Sequence, residues 1–214
     1  MSRIAVIDFE TTGISPTQGD RATEVAIVIT EGGRVVDRYQ SLMNAGVRIP
    51  SFITQLTGIT NAMVEAAPPA DVVMREAARF ADGVPMVAHN AAFDSRFWMA
   101  ELTRAGAEAT QAFACTVLLS RRLYPEAPSH KLGSLVDFFQ LPRTGRAHRA
   151  LADAEMAAEL LARIQHDLRV LHGVDAPDHG FLMALQRCAR ASLPRFLQAH
   201  TERQGGAGVS TRAA

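Results

Sequence analysis

The chain has 214 residues, 48% of them hydrophobic and 21% charged, and its 22 basic residues balance 22 acidic ones. That length suits one domain with a sizeable core, and no apolar run approaches the ~20 residues of a membrane span, which excludes a membrane-spanning protein. Zero net charge excludes a protein that coats a polyanion through its overall field and predicts a shallow salt dependence of any nucleic-acid binding.

In chain order, Ile4 to Gly13 opens as a strand that ends in Asp8-Phe9-Glu10-Thr11-Thr12-Gly13. The N-terminus carries no signal-peptide pattern, and Cys115 and Cys188 lack metal-knuckle spacing, so a cytoplasmic protein without disulfides is expected. Residues 14–21 are turn-rich. Glu24 to Thr30 and Val35 to Met43 alternate around Glu31-Gly32-Gly33 and predict a hairpin. Pro50 and Ser51 start a short helix, Thr57 to Asn61 reads as a break and a new cap, and Pro68-Pro69 precedes a helix over about 71–81. Met86 to Ala88 is a strand leading into a helix over 92–105; Ala112 to Thr116 suggests one more strand, followed by helices over 117–123 and 131–139.

A long alanine- and leucine-rich helix is expected over about 147–171, then a break at His172-Gly173 and a last amphipathic helix near 181–198. The order of elements predicts an α/β layer, a mixed sheet of about five strands with helices on both faces. The expected units are residues 1–171 as the domain, 172–203 as a helical extension and 204–214 as a disordered tail.

The acids stand out against this pattern. Alternation puts Asp8 and Glu10 on the face of β-residues Ile4 and Val6, so an apolar face ends in two carboxylates that need solvent or a cation. Taken alone they read as solvated loop acids. Asp94 heads the stripe of Phe97, Trp98 and Leu102, as a helix N-terminal acid can, and Asp153 continues the inward stripe of Ala157, Leu160, Leu161 and Ile164, where an arginine partner is the plain alternative. On a continuous helix His148 and Asp153 would stand about 140° apart, whereas a loop over Thr144 to His148 lets the imidazole reach the same site.

Together the four carboxylates carry a charge that two divalent cations neutralise, an arrangement suited to in-line displacement at a phosphodiester. Hard oxygen donors without thiolates point to Mg²⁺ or Mn²⁺, with His148 as the base. The remaining histidines read as structural or solvated.

Asp8-Phe9-Glu10-Thr11-Thr12-Gly13, His89-Asn90-Ala91-Ala92-Phe93-Asp94 and His148-x4-Asp153, in that order, resemble the DEDDh branch of the DnaQ-like 3′→5′ exonucleases. That family includes the proofreading epsilon subunit of bacterial DNA polymerase III, RNase T and oligoribonuclease. Leu56-Thr-Gly-Ile-Thr60 is also similar.

The resemblance implies a ribonuclease H-like fold, with Asp8, Glu10 and Asp153 on the nucleophile-side metal, Asp8 bridging both ions and Asp94 on the second. His148 would be the general base. Thr11, Thr12, Gly13, Asn90 and Phe93 would bind the 3′-terminal nucleotide. The expected partner is a single-stranded 3′ end, DNA before RNA, with a DNA polymerase subunit as a further candidate. The alternatives are a 3′→5′ exoribonuclease acting on short RNA or tRNA ends, and an inactive nucleic-acid or polymerase-binding module.

Overall fold

A computed structural model describes residues 3–207 of the chain. β1 (Arg3–Thr11), β2 (Ala22–Glu31), β3 (Arg34–Leu42), β4 (Met86–Ala88) and β5 (Phe113–Cys115) form one sheet in the order β3-β2-β1-β4-β5. The hairpin strands pair antiparallel with one another and with β1, while β1, β4 and β5 run parallel. The mixed five-stranded sheet is the expected ribonuclease H-like architecture.

Period-two alternation divides β1 and β2 between two cores. Ile4, Val6, Ala26 and Val28 face one side and pack with α5 (Thr116–Leu123), α6 (Leu132–Phe138) and α7 (Ala150–His172). Ala5, Ile7, Val25 and Ile27 face the other and pack against α3 (Ala70–Phe80) and α4 (Ala91–Arg104). At the rim, α1 (Ser51–Thr57) and α2 (Asn61–Glu65) bury Ile53 and Val64 in a small cluster of their own. Thr60 starts α2 by accepting the Met63 amide, as the break at Thr57 to Asn61 predicted.

The C-terminal part differs from expectation. The single helix over 181–198 is two helices, α8 (His179–Arg187) and α9 (Leu193–Ala207), joined through a 3₁₀ turn at Arg190–Ser192. Pro194 is the reason: without an N–H it fits the first turn of a helix and not its interior. Phe181, Leu182 and Leu185 are buried in the α7-side core and Phe196 packs against it, its ring 5.6 Å from that of Phe181, so the extension lies on the domain. Residues 204–207, expected in the disordered tail, belong to α9; residues 208–214 lie outside the described residues. No helix among the described residues is long and apolar enough to cross a membrane.

Candidate active site

β1 carries its carboxylates beyond the end of its parallel neighbour. β4 pairs with β1 only at Ala5↔Met86 and Val6↔Val87, so further along that edge the amides of β1 need another acceptor. The chain leaves β4, turns at Asn90 with φ 70° and enters α4, where Asp94 Oδ1 accepts the Phe9 amide at 3.2 Å. Asparagine tolerates that left-handed turn. Asp94 thus takes the place of the missing strand and is 2% exposed, close enough to Asp8 for its charge to act there.

On the other edge Glu10 stands opposite Glu24, a like-charge pairing that needs compensation. Glu24 is fully buried, and its oxygens accept from Arg149 Nη2 at 2.7 Å, Arg149 Nε at 3.1 Å, Gln40 Nε2 at 2.7 Å and the Ala150 amide at 3.0 Å. Arg149 is the residue before α7 and its side chain makes no capping bond, so a glutamate from β2 satisfies the first amide of the helix. A register shift follows at once, from Glu10↔Glu24 to Thr11↔Ala22, making Thr23 the extra residue of a β-bulge. Such bulges re-aim a strand end.

With α7 fastened there, Asp153 lies in its first turn. His148 precedes the helix with φ 59°, which settles the open question of the sequence in favour of a loop, and its amide donates to Asp153 Oδ2 at 2.9 Å. Among the described residues Asp153 makes no ion pair, so the arginine alternative does not hold. Ligand atoms of Glu10, His148 and Asp153 lie within 4.8 Å of one another.

The Thr11–Arg21 loop closes the site on a third side. Thr12 N donates to Arg21 O at 2.9 Å, the Arg21 amide donates to Thr12 Oγ1 at 3.0 Å, and Thr11 Oγ1 donates to Gly13 O at 2.6 Å. Gly13 leaves room for the Asp20 carboxylate, which a Cβ there would displace and which itself accepts the Ser15 amide. Arg21 anchors the loop to α4 through two 2.9 Å bonds to the buried Glu101, and to the segment after β3 through a third to Ala45 O.

These pieces enclose a cleft of ≈ 700 Å³ lined by Asp8, Glu10, His148 and Asp153 together with the apolar Phe52, Leu56 and Phe93. Thr11, Thr12 and Gly13 line it too, although both threonine hydroxyls are engaged within the loop. Two expected residues stand apart: Asp94 lies buried behind the strand end, and Asn90 opens into a neighbouring cavity. Glu24, Glu101 and Phe52 escaped the sequence reading, whereas Leu56 belongs to a stretch it had marked; Glu24 and Glu101 were legible only as acids inside otherwise apolar periodicity.

Burial and mutual repulsion shape the electrostatics. Asp8 is held well above the usual carboxylate range by burial first and then by the charges of Asp94, Glu10, Asp153 and Glu24. Burial, with Asp153 and Glu24, raises Glu10 to about 8, against the lowering influence of Arg149. Burial also raises Asp94 to about 8, opposed by its backbone hydrogen bonds, and Asp153 is raised by burial against the His148 amide. Such carboxylates cannot all ionise at neutral pH without added positive charge, so the donor set fits hard divalent cations. Neither cysteine lines the cleft.

The RNase_T exonuclease family model matches residues 5–161. The chain belongs to this exonuclease family. The 3′-5′ exonuclease DinG of Bacillus subtilis is 41% identical over 170 residues, covering 79% of this exonuclease chain and 18% of DinG. The PolC-type DNA polymerase III of Caldanaerobacter subterraneus is 35% identical over 164 residues, 77% of this chain and 12% of the polymerase. The chain therefore spans less than a fifth of either relative. Among solved structures, Exonuclease X in complex with 5′ overhanging duplex DNA aligns with a TM-score of 0.62 at 28% identity, covering 76% of this chain and 91% of that one. E. coli Exonuclease I in complex with a dT13 oligonucleotide aligns at 0.71 and 17% identity over 86% of this chain and 46% of that one, a likeness of fold.

Proposed function

We propose that this exonuclease hydrolyses the terminal phosphodiester at the 3′ end of single-stranded DNA, releasing nucleoside 5′-monophosphates. The observation that carries the reading is the entry of Asp8 and Glu10 from β1, and of His148 and Asp153 from the start of α7, into one cleft although the two segments lie far apart in the chain. Asp8, Glu10, Asp94 and Asp153 would hold two divalent cations, Mg²⁺ or Mn²⁺, which supply a polarised water and neutralise charge on the leaving oxygen. His148 accepts the proton of the attacking water while the new P–O bond forms and the P–O3′ bond breaks, and solvent protonates the departing oxygen to leave a fresh 3′-hydroxyl on the shortened strand.

Phe52, Leu56 and Phe93 offer apolar surface against which the terminal bases stack. The Thr11–Gly13 turn serves as the wall that stops the 3′ terminus. DNA is favoured over RNA by the likeness to the PolC-type DNA polymerase III and to the DNA complex of Exonuclease X. The PolC likeness also supports a setting beside a DNA polymerase, in the cytoplasm, where the free thiols of Cys115 and Cys188 stay reduced. The test is shortening of end-labelled single strands with Mn²⁺: loss of nucleotides only from the 3′ side is expected, and activity that survives EDTA or Asp8→Ala contradicts the reading.

A further inference from the structure

The zero net charge of the chain conceals a local gathering of arginines at the ends of α5 and α8. Residues 109–136 and 179–201 together contain six basic residues, Arg121, Arg122, Lys131, Arg187, Arg190 and Arg195, and one acid, Glu126. The fold brings several of these together, because Arg122 Nε donates to Cys188 O at 2.8 Å and so locks the end of α5 onto the end of α8. Arg121, Arg187 and Arg190 are exposed around that junction. Their guanidiniums meet no hydrogen-bond or ion-pair partner among the described residues, whereas Arg21 and Arg149 are committed to buried glutamates.

This face adjoins the site. The first turn of α4 separates two hollows: Phe93 lines the acidic cleft, while Asn90, Ala92 and Ser95 line a cavity of ≈ 300 Å³ whose far wall is Arg121 and Gln186. Gln186 is fixed by accepting the Cys115 amide at 2.6 Å, so the wall is rigid at the edge of β5. A strand with its 3′ end among the acids and continuing over the α4 turn meets this hollow and then the arginines. Unpaired guanidiniums beside an outlet from a nuclease cleft are suited to phosphate oxygens.

We propose that the Arg121–Arg187–Arg190 face is a second phosphate-binding surface, which holds the backbone of the nucleic acid outside the cleft. It rests on the exonuclease reading for the placement of the 3′ end. The consequence is a preference for long strands or duplex-borne ends over short oligonucleotides, and a steeper salt dependence than the neutral chain suggests.

The test is binding in EDTA, where cleavage does not enter, by the anisotropy of fluorescein-labelled oligothymidylates of about 6 and about 30 nucleotides, together with a duplex bearing a short 3′ overhang. The combined Arg121→Ala, Arg187→Ala and Arg190→Ala variant should weaken binding of the long strand or the duplex by ~10-fold or more. It should lower the log–log salt slope by about 2, from three lost contacts at ~0.7 each. Binding of the short strand should stay as in the unaltered protein, which also reports that the variant folds.

Loss on the long single strand assigns the surface to the scissile strand, and loss on the duplex alone assigns it to the complementary strand. Unchanged affinity for both, or an equal loss on the short strand, overturns the proposal. If the arginines govern binding but Mn²⁺ never yields shortening, the exonuclease reading fails and this surface stands. If strands are shortened and the variant binds like the unaltered protein, the reverse holds.

Discussion

The His148 amide donates to Asp153 Oδ2 at 2.9 Å, across a turn in which His148 itself takes φ 59°. A left-handed histidine carries strain of roughly 1 kcal/mol, which is sustained where the surroundings fix it. The bond ties His148, the proposed base, to one of the carboxylates of the cleft, so the residue and Asp153 are placed by one local geometry.

Replacing His148 with asparagine separates those two contributions. Asparagine tolerates the left-handed region, so His148→Asn should leave thermal stability nearly unchanged while lowering kcat by about 10²–10⁴, the usual worth of a general base. Single-turnover rates with saturating Mn²⁺ check this.

The carboxylates predict an inverse pH dependence of stability without metal. Glu10 has a folded pKa of about 8 against an ordinary 4.5, and Asp8, Asp94 and Asp153 are also raised. The folded state therefore binds more protons than the unfolded one between those values, so stability is fully present below pH 4.5 and is lost as pH rises through about 8. Melting temperatures of metal-free protein should fall across that window, and Mn²⁺ should flatten the trend.

Glu24 is expected to matter for both stability and turnover. Glu24→Ala leaves Arg149 and the Ala150 amide without their acceptor and should cost about 3 kcal/mol in urea unfolding, as for a buried pair broken on one side. Because the start of α7 carries Asp153, kcat should fall in the same variant.

Gly13→Ala tests the loop that walls the cleft. A Cβ at that position meets the Asp20 carboxylate, which must swing away and give up its bond from the Ser15 amide. KM for a single-stranded substrate should rise while the melting temperature changes by only a few degrees, since the change displaces one side chain and opens no cavity in the core.

Much of this was legible in the residues. The alternation of β1 set the common face of Asp8 and Glu10, and the Phe97, Trp98 and Leu102 stripe pointed Asp94 inward; all three of those helix side chains are buried. The helical pattern ran on through Ala147 and hid the loop of His148, because nothing local distinguishes an alanine before a helix from one inside it. The Glu24–Arg149 pair was invisible for another reason: its members are 125 positions apart, and their meeting is decided by the sheet and not by spacing. The α8–α9 junction was readable in principle from Pro194.

The most direct test of the account follows a single strand labelled at one end or the other, incubated with Mn²⁺ and compared between the unaltered protein and Asp8→Asn. Stepwise shortening from the 3′ side alone, abolished by EDTA and lowered by at least about 10³-fold in Asp8→Asn, is the predicted result. Cleavage from the 5′ side, or 3′ shortening that persists in Asp8→Asn, would contradict it.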